Sequence, residues 1–360
     1  MTTKSWSSGE LESRIFEACL GAFDVHAIYL GDRLGFYRAM AGRDVTSGSE
    51  LAELTHTNER LAREWLEQQA VSGLLEVVRP SDDPLLRGFR LPAGYAEVLT
   101  DRESLNYLAP AAVQVAAAGL ALPKVLAAFR TGNGVPWADY GNDMREAQGE
   151  MNRPLFLQVL GKEWLPAIPD LHARLSGKGA RVADVGCGFG WSTIGMALAY
   201  PEMTVDGFDL DVPSVETART NASEYGVADR VTFHAIDPGE AHLAGAYDLA
   251  IALECIHDLP DPVGVLASMA RMTGDHGTVL VVDERTADEF TAPGDDMERF
   301  FYGFSVTTCL PDGMSHQPSA GTGTVMRAEQ LRGYAQEAGF ADLEVLPIDH
   351  GQFRIYRLSS

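Results

Sequence analysis

Apolar and polar positions in the second half of the chain switch between short continuous apolar runs and longer stretches with helical spacing. Short apolar runs bounded by turn residues predict buried strands, and the stretches between them predict crossover helices. A chain that repeats strand and helix in this way is expected to form a parallel, doubly wound sheet of the α/β class. The predicted strands are Arg181–Val185, Thr204–Phe208, Val231–Ala235, Leu249–Ile256 and Thr278–Asp283.

The end of the chain departs from this alternation. A helix over Arg327–Ala338 ends at Gly339 and leads to two further strands, Leu343–Leu346 and Phe353–Leu358, with no helix between them. Two strands joined without a crossover helix pair antiparallel. We therefore expect a Rossmann-like sheet of seven strands with an antiparallel hairpin at one edge.

The beginning of the chain shows a different order of elements. Two short helical segments, Ser47–Glu53 and Asn58–Gln69, are followed by a strand over Leu74–Val78, a turn and a return strand over Gly88–Leu91. This order is typical of a winged helix. Because 360 residues exceed one ordinary domain of about 100 to 200 residues, we expect more than one unit.

We divide the chain into three parts. A winged-helix-like dimerisation domain is expected over residues 1–98, followed by a helical connector covering the active site over 99–176. The Rossmann-like domain is expected over residues 177–360.

The segment VADVGCGFGWST, from Val182 to Thr193, predicts a buried strand, a glycine-rich turn and the start of a helix. Gly186 and Gly188 permit a tight turn and close approach of a ligand, an arrangement that binds nucleosides. A dinucleotide fingerprint needs a third glycine where this chain has Trp191, so NAD is disfavoured. Asp184, beside the turn, would repel a phosphate and attract an amino group or a sulfonium.

A second carboxylate follows the next predicted strand. Asp209 lies 23 residues after Gly186 in the sequence, at the position where an acid accepts hydrogen bonds from both hydroxyls of a ribose. The alternative interpretation is a helix cap or an ordinary loop acid.

Charge narrows the choice of partners. The chain has 28 basic and 51 acidic residues and a net charge of −23, which disfavours nucleic acid and anionic membranes. The second helix of the predicted winged helix sets Glu59, Glu64 and Glu67 against Arg60 and Arg63. We therefore favour dimerisation over DNA binding for this domain.

Cysteine spacing and the N-terminal sequence bear on location. The four cysteines include no C-x-x-C pair, so we expect neither a disulfide framework nor a metal site, and a reducing cytoplasm fits. No apolar signal core is present near Met1. The most apolar run, Val115–Leu122, stops at Pro123 and is too short to span a bilayer. We expect a cytoplasmic protein.

The D-x-G-x-G arrangement of Asp184, Gly186 and Gly188 resembles motif I of the class I S-adenosylmethionine (SAM) methyltransferases. With the winged-helix start, the chain is similar to small-molecule O-methyltransferases, which join a dimerising winged helix to a Rossmann-like domain. The resemblance implies SAM as methyl donor and S-adenosylhomocysteine (SAH) as product. It also implies a small-molecule acceptor and a homodimer.

The resemblance assigns roles to individual residues. Gly186 and Gly188 would cradle the methionine end of SAM, and Asp209 would hold its ribose. Leu210, with Trp191, would flank these groups. Asp237, after the third strand, would accept a hydrogen bond from the adenine amino group; a turn aspartate is the alternative.

The segment LECIHDLPDP ends the fourth predicted strand, and the carboxyl ends of strands face the ligand in this topology. His257 and Asp258 resemble the His-Asp pair of plant-type O-methyltransferases, in which the histidine deprotonates a hydroxyl. Histidine suits this role because it titrates near neutrality. Alternatively the pair caps the following helix, and Leu259 stands where the plant enzymes have an aromatic residue. Glu284 is a candidate to orient the imidazole.

A long segment between Glu284 and Val325 is rich in aromatic and glycine residues, and long segments of this kind often carry function. His316 is a second candidate base. The residues expected to build an apolar pocket wall are Phe300, Phe301, Tyr302, Phe304 and Met314.

The leading hypothesis is a SAM-dependent methyltransferase that acts without a metal on a hydroxyl of a small acceptor, with His257 as general base. Methylation of nitrogen, carbon or sulfur is left open. So are a SAM-binding winged-helix regulator on DNA and an NAD-type oxidoreductase.

Overall fold

The computed structural model describes residues 6–237 and 244–359. Their contacts divide the chain into two compact units, Met1–Gly119 with Asn142–Pro154, and Leu120–Gly141 with Leu155–Ser360. We call them the N-terminal unit and the catalytic unit. Residues 99–176, expected to form a separate connector, are distributed over both.

The elements have the following bounds. The strands are β1 (Glu76–Arg79), β2 (Gly88–Arg90), β3 (Arg181–Val185), β4 (Thr204–Phe208), β5 (Val231–His234), β6 (Leu249–Leu253), β7 (Thr278–Glu284), β8 (Asp342–Val345) and β9 (Phe353–Ser359). The α-helices are α1 (Ser8–Arg33), α2 (Phe36–Met40), α3 (Gly48–Thr55), α4 (Glu59–Val71), α5 (Ala93–Thr100), α6 (Ala109–Thr131), α7 (Gly141–Leu155), α8 (Pro169–Leu175), α9 (Trp191–Ala199), α10 (Val212–Glu224), α11 (Pro262–Thr273), α12 (Asp296–Phe304), α13 (Leu310–Gly313) and α14 (Ala328–Glu337). Two π-helical segments cover Phe156–Trp164 and Ser305–Cys309, and 3₁₀ turns cover Pro84–Leu86, Trp137–Tyr140 and Ile256–Asp258.

The N-terminal unit contains a winged helix built from α3, α4 and the antiparallel pair β1 and β2. Its core centres on Trp65, whose ring packs edge-on against Phe36 and Tyr37 at centroid distances of 4.8 and 5.1 Å. The indole N–H of Trp65 donates to the carbonyl of Ala27 at 2.8 Å and so ties α4 to α1. The predicted helix, helix, strand and strand order is confirmed.

The catalytic unit is built on a seven-stranded sheet in the order β5-β4-β3-β6-β7-β9-β8. Strands β3 to β7 run parallel, and β9 pairs antiparallel with both β7 and β8. The strand order reverses between β3 and β6, which is where doubly wound sheets bind ligands at the carboxyl ends of their strands. The predicted α/β fold class with an antiparallel hairpin at one edge is confirmed.

Two predicted strands of the catalytic unit are shorter in the structure than expected. The strand expected over Leu249–Ile256 ends at Leu253, because Glu254 adopts a left-handed backbone conformation with φ of 53°. The following 3₁₀ turn, Ile256–Asp258, carries the His-Asp pair. The strand expected over Val231–Ala235 ends at His234.

Helix α6 continues through Pro123 to Thr131. Proline has a helical φ, although its missing N–H removes the hydrogen bond to the carbonyl of Gly119 and its ring crowds that carbonyl. Among the described residues, α6 is the helix long and apolar enough to cross a membrane, and 44% of its most apolar window is buried. Core helices of soluble proteins pass the same test, so this is weak evidence for a membrane span.

Helix α9 packs against the π-helical segment Phe156–Trp164 through glycines. A Cβ on Gly195 would collide with the carbonyl oxygen of Phe156, and a Cβ on Gly161 would lie 2.5 Å from Cβ of Ala199. The two backbones therefore approach each other without side chains between them. This contact fixes α9, and with it the start of the helix that follows the glycine-rich turn.

Candidate active site

The glycine-rich turn between β3 and α9 adopts the conformation that its glycines permit. Gly186, Gly188 and Gly190 have φ of 73°, 48° and 78°, a region that other residues rarely adopt. A Cβ on Gly190 would lie 2.7 Å from the ring of Phe233, whereas a Cβ on Gly188 would meet nothing within 4 Å. Gly190 is thus required by packing, and Gly188 borders open space that a ligand can enter.

Asp184 lies at the end of β3 beneath this turn and is only 1% exposed. Its Oδ2 accepts hydrogen bonds from the hydroxyls of Ser192 and Thr193, both at 2.6 Å. Its Oδ1 is buried and accepts no hydrogen bond among the described residues. Burial raises the pKa of Asp184 to about 6, although the two hydroxyls oppose the shift. A cationic ligand beside the turn would compensate this buried charge.

Asp209 closes the turn from the end of β4. Its Oδ2 accepts from the backbone N–H of Gly188 at 2.8 Å, and its Oδ1 accepts from the N–H of Asp211 at 2.8 Å. The pKa of Asp209 is raised by burial, which outweighs these backbone hydrogen bonds. Since each carboxylate oxygen has a second acceptor site, ribose hydroxyls can still donate to Asp209.

The other three residues predicted to contact the cofactor differ in their exposure to solvent. Leu210 is an exposed side chain beside the end of β4. Asp237 is half-buried and is the last described residue before 238–243. Trp191, expected to flank the ligand, is instead buried and packs edge-on against Tyr225 at 5.6 Å. The large ring fills the space beneath α9 and is part of the core.

His257 lies at the carboxyl end of β6 and is 3% exposed. Its Nδ1 is 2.8 Å from Oδ1 of Asp283 and 3.1 Å from Oε2 of Glu284, the last two residues of β7. Its Nε2 is 3.3 Å from Oδ1 of Asp258. The structure therefore brings His257 together with Asp258 and Glu284 and adds the carboxylate of Asp283.

This cluster carries more negative charge than its one imidazole can neutralise. Burial opposes a charge on His257, but Asp258, Asp283 and Glu284 together raise its pKa well above the ordinary value. Burial raises the pKa of Glu284 to about 7, against the effect of His257. The cluster can therefore gain or lose a proton near neutral pH.

Residues distant in sequence extend the site, and sequence reasoning missed them. The pKa of Cys309, from the second π-helical segment, is raised to about 12 by burial and by Asp258. Asp312 accepts a hydrogen bond from the backbone N–H of Trp137 at 2.7 Å. Its pKa is raised to about 7 by burial and by Asp258. No motif marks Cys309 or Asp312, since each becomes relevant only through folding.

The turn is in direct contact with Cys255, two residues before His257. Cys255 donates from its Sγ to the carbonyl of Val185 at 3.3 Å, and a Cβ on Gly186 would lie 2.7 Å from that sulfur. The packing of Cys255 on the turn places the segment that carries His257 beside the turn. By contrast, His316 is exposed, and of the expected pocket wall Phe301 is buried while Phe300 and Tyr302 are partly exposed.

Two comparisons with protein families bear on this site. Residues 176–308, which contain the turn and the histidine cluster, match the family described as Methyltransferase domain. This part of the chain is therefore a methyltransferase domain. Residues 25–101 match the Rv2258c-like winged HTH domain, so this methyltransferase has an N-terminal winged helix.

Individual relatives cover part of the chain. A ubiquinone biosynthesis O-methyltransferase of Thiobacillus denitrificans is 36% identical over 112 residues, which are 31% of this chain and 46% of the relative. The matched part of the chain corresponds to less than half the length of this relative and of others like it.

Solved structures resemble nearly the whole chain. The mitomycin 7-O-methyltransferase MmcR has a TM-score of 0.69 and 22% identity, with 97% of each chain covered. Human N-acetylserotonin methyltransferase, in complex with SAM, has a TM-score of 0.70 and 16% identity over 100% of this chain and 99% of the human one. At these identities the likeness concerns the fold of the methyltransferase.

Proposed function

We propose that this methyltransferase transfers the methyl group of SAM to a hydroxyl oxygen of a small-molecule acceptor. The observation that carries the proposal is the buried cluster of His257 with three carboxylates, placed beside the glycine-rich turn. Oxygen needs a proton acceptor when it attacks, and the cluster changes its protonation near neutral pH. SAM, when bound, supplies a methyl carbon activated by the positive sulfur.

The residues at the turn fit SAM by their chemistry. Gly188 leaves room beside the backbone, and the orphaned Oδ1 of Asp184 favours a cationic group. Asp209 would hold the ribose, Leu210 would flank it, and Asp237 would accept from the adenine amino group. The protein then contributes mainly alignment of the acceptor oxygen with the methyl carbon and the sulfur.

The test is methyl transfer from radiolabelled SAM to a panel of hydroxylated aromatic probes that includes catechol, quercetin and 4-hydroxybenzoate, with aniline and thiophenol for nitrogen and sulfur. We expect labelled product from at least one hydroxyl compound. Labelling of only the nitrogen or sulfur probes would assign the acceptor atom differently. SAH bound by the protein with no transfer to any probe would contradict the enzyme proposal.

A first prediction concerns Asp209. We expect Asp209→Ala to weaken SAH binding about 10- to 100-fold, because hydrogen bonds to a charged group contribute about 1.5 to 3 kcal/mol. Calorimetric titration with SAH measures the effect. Asp211→Asn is the matched control, since Asp211 caps α10 through Ser214 and amide oxygens also cap helices. Equal affinities of Asp209→Ala and wild type would rule out ribose binding by Asp209.

A second prediction concerns assembly, which we propose to be a homodimer in the cytoplasm. The first 16 residues of α1 are exposed on all sides, including a set of large apolar side chains. Such a patch marks a protein interface. Its members are Leu11, Ile15, Phe16, Leu20 and Phe23.

We expect a dimer in sedimentation experiments, and at least 10-fold weaker association for the double variant Phe16→Glu, Phe23→Glu, because both charges would be buried at the interface. The control is Leu61→Glu, at an equally exposed apolar residue on α4. A monomeric wild type would contradict the proposal.

DNA binding is not favoured for the winged helix. Both arginines of α4 pair with glutamates one turn away, Arg60 with Glu64 and Arg63 with Glu59. These pairs leave little positive charge on α4 for phosphates.

A further inference from the structure

Segments distant in sequence pack around the 3₁₀ turn that carries His257. Helix α13 lies against this turn, since a Cβ on Gly313 would lie 2.9 Å from the carbonyl oxygen of Asp258. Further along the chain, the backbone N–H of Gly323 donates to the carbonyl of His257 at 3.0 Å. These contacts place Asp312, the residue before Gly313, beside the histidine cluster.

Asp312 is held in place by the backbone rather than by an ion pair. Its Oδ1 accepts a hydrogen bond from the N–H of Trp137 at 2.7 Å, and its Oδ2 accepts none among the described residues. The segment before Trp137 is joined to the same helix, because the N–H of Val135 donates to the carbonyl of Pro311 at 2.8 Å. Asp312 is half-buried. Its carboxylate therefore has a fixed position and one oxygen that can still interact with a ligand.

The negative charge around Asp312 exceeds the positive charge that the protein supplies. The charged groups that shift the pKa of Asp258 are His257 and Glu284, and the one that shifts the pKa of Asp312 is Asp258. No lysine or arginine among the described residues shifts either value. Oδ1 of Asp258 and Oδ2 of Asp283 are also buried without a hydrogen bond among the residues that the structure describes. A positive charge on a ligand would compensate this excess.

Aromatic side chains lie in the same surroundings. The hydroxyl of Tyr140 donates to the carbonyl of Thr307 at 2.9 Å, and its ring lies 6.4 Å from the ring of Trp137. Burial, together with Asp312 and Asp258, raises the pKa of Tyr140, so this phenol is within electrostatic range of both carboxylates. The faces of aromatic rings attract cations. The rings and the carboxylates therefore favour ligands of the same charge.

We propose that the acceptor is a hydroxylated compound with a positively charged amino group, and that Asp312 is the residue that determines this specificity. The inference rests on the proposed O-methyl transfer and names the class of acceptor for that site. Hydroxylated amines are expected to be preferred over hydroxylated carboxylates. His257 remains the general base, and Asp312 contributes to binding of the acceptor rather than to proton transfer.

The size of the preference follows from the charges. An opposite charge within about 4 to 6 Å shifts an ionisation equilibrium by about one to three powers of ten, and a like charge shifts it in the other direction. Salt screens partly buried charges less than exposed ones. A charge preference of about 10-fold or more is therefore expected at physiological ionic strength.

The first experiment compares three acceptors that share one phenol and differ in the charge of the side chain, namely tyramine, tyrosol and 4-hydroxyphenylacetate. At pH 8 we expect kcat/KM for tyramine to exceed that for 4-hydroxyphenylacetate by about 10-fold or more, with the neutral tyrosol between them. Equal values for the three compounds, or a preference for the carboxylate, would overturn the proposal.

The second experiment assigns the preference to a residue. Asp312→Asn keeps an oxygen that accepts from the N–H of Trp137 and removes the charge. We expect it to raise the KM for tyramine by about 10-fold with the KM for SAM unchanged, so that the ratio of amine to carboxylate activity falls. Asp139→Asn is the control, because Asp139 is exposed and pairs with Lys124 at 3.1 Å, and it should keep the wild-type ratio.

An unchanged ratio for Asp312→Asn would contradict the role of Asp312. Melting curves show whether each variant is folded, and the comparison of the three phenols with wild-type protein does not depend on any variant.

A binding measurement separates this inference from the proposed function. The probes are 4-methoxyphenethylamine and 4-methoxyphenylacetate, which have no hydroxyl to methylate, titrated into SAH-bound protein in a calorimeter. We expect the amine to bind about 10-fold more tightly or better. Equal affinities, or no binding of the amine, would overturn the inference even if methyl transfer to other hydroxyl compounds is found. Selective binding of the amine without transfer to any hydroxyl probe would support the charge preference and contradict the proposed function.

Discussion

Asp184→Asn is expected to raise the free energy of unfolding at pH 8 by as much as roughly 3 kcal/mol, since one pKa unit corresponds to about 1.36 kcal/mol. In the folded protein the pKa of Asp184 is about 6, above the value of about 3.9 for an unfolded aspartate. Its ionisation therefore opposes folding. An asparagine oxygen can accept the same two hydroxyl hydrogen bonds without the buried charge.

The pH dependence has a defined sign. Below about pH 4 Asp184 is protonated, and therefore uncharged, in both the folded and the unfolded state, so it does not lower stability. As pH rises from about 4 to 6 the unfolded state loses its proton first, so wild-type stability falls, and above pH 6 the loss is complete. The advantage of Asp184→Asn should grow through this interval and then stay constant, as measured by urea unfolding at several pH values. An advantage independent of pH would contradict this explanation.

The same substitution should impair function. If the carboxylate of Asp184 attracts the cationic part of SAM, Asp184→Asn should bind SAM at least 10-fold more weakly at pH 8 by calorimetry. Ser192→Ala is the matched comparison, because it removes one hydrogen bond to Asp184 and leaves the carboxylate in place. A residue that costs stability and increases ligand affinity is typical of a functional site.

Gly195→Ala is expected to lower the free energy of unfolding by about 3 kcal/mol, at the upper end of the usual cost of overpacking. The added Cβ would collide with the carbonyl oxygen of Phe156, and backbone atoms cannot move aside as a flexible side chain can. Separation of α9 from the π-helical segment would also shift Ser192 and Thr193, which hold Asp184. Reduced SAH affinity should therefore accompany the loss of stability.

Gly333→Ala in α14 provides the control for this prediction. A Cβ at Gly333 meets nothing within 4 Å, and alanine is favoured over glycine in a helix by about 0.8 to 1.0 kcal/mol. The control should therefore be neutral or slightly more stable in the same urea titration. Equal stability of Gly195→Ala and Gly333→Ala would show that α9 can move away from Phe156 at little cost.

The sheet was predictable because its strands carry a local signal. β3 and β4 have the predicted bounds, since continuous apolar runs mark strands buried on both faces. The predicted end of β6 was wrong for a reason that is also local but that the sequence does not show. Glu254 has a positive φ, and glutamate gives no sign of that conformation.

The candidate site was predictable only in part. The turn glycines and Asp209 lie next to each other because parallel strands end at the same edge of the sheet. The environment of His257 depends instead on β7 and on Cys309, which follows a long irregular segment. The pKa of His257 is thus raised largely by contacts of long sequence separation, which no local pattern records.

The described contacts assign residues 120–141 to the catalytic unit and 142–154 to the N-terminal unit, so the polypeptide passes between the units three times. No single cleavage of the polypeptide can therefore release either unit intact. A gene fragment starting near residue 177 would omit Phe156–Trp164, which packs on α9, and should yield insoluble product. Exchange of the N-terminal unit between related genes likewise requires both of its segments, 1–119 and 142–154, to be replaced together.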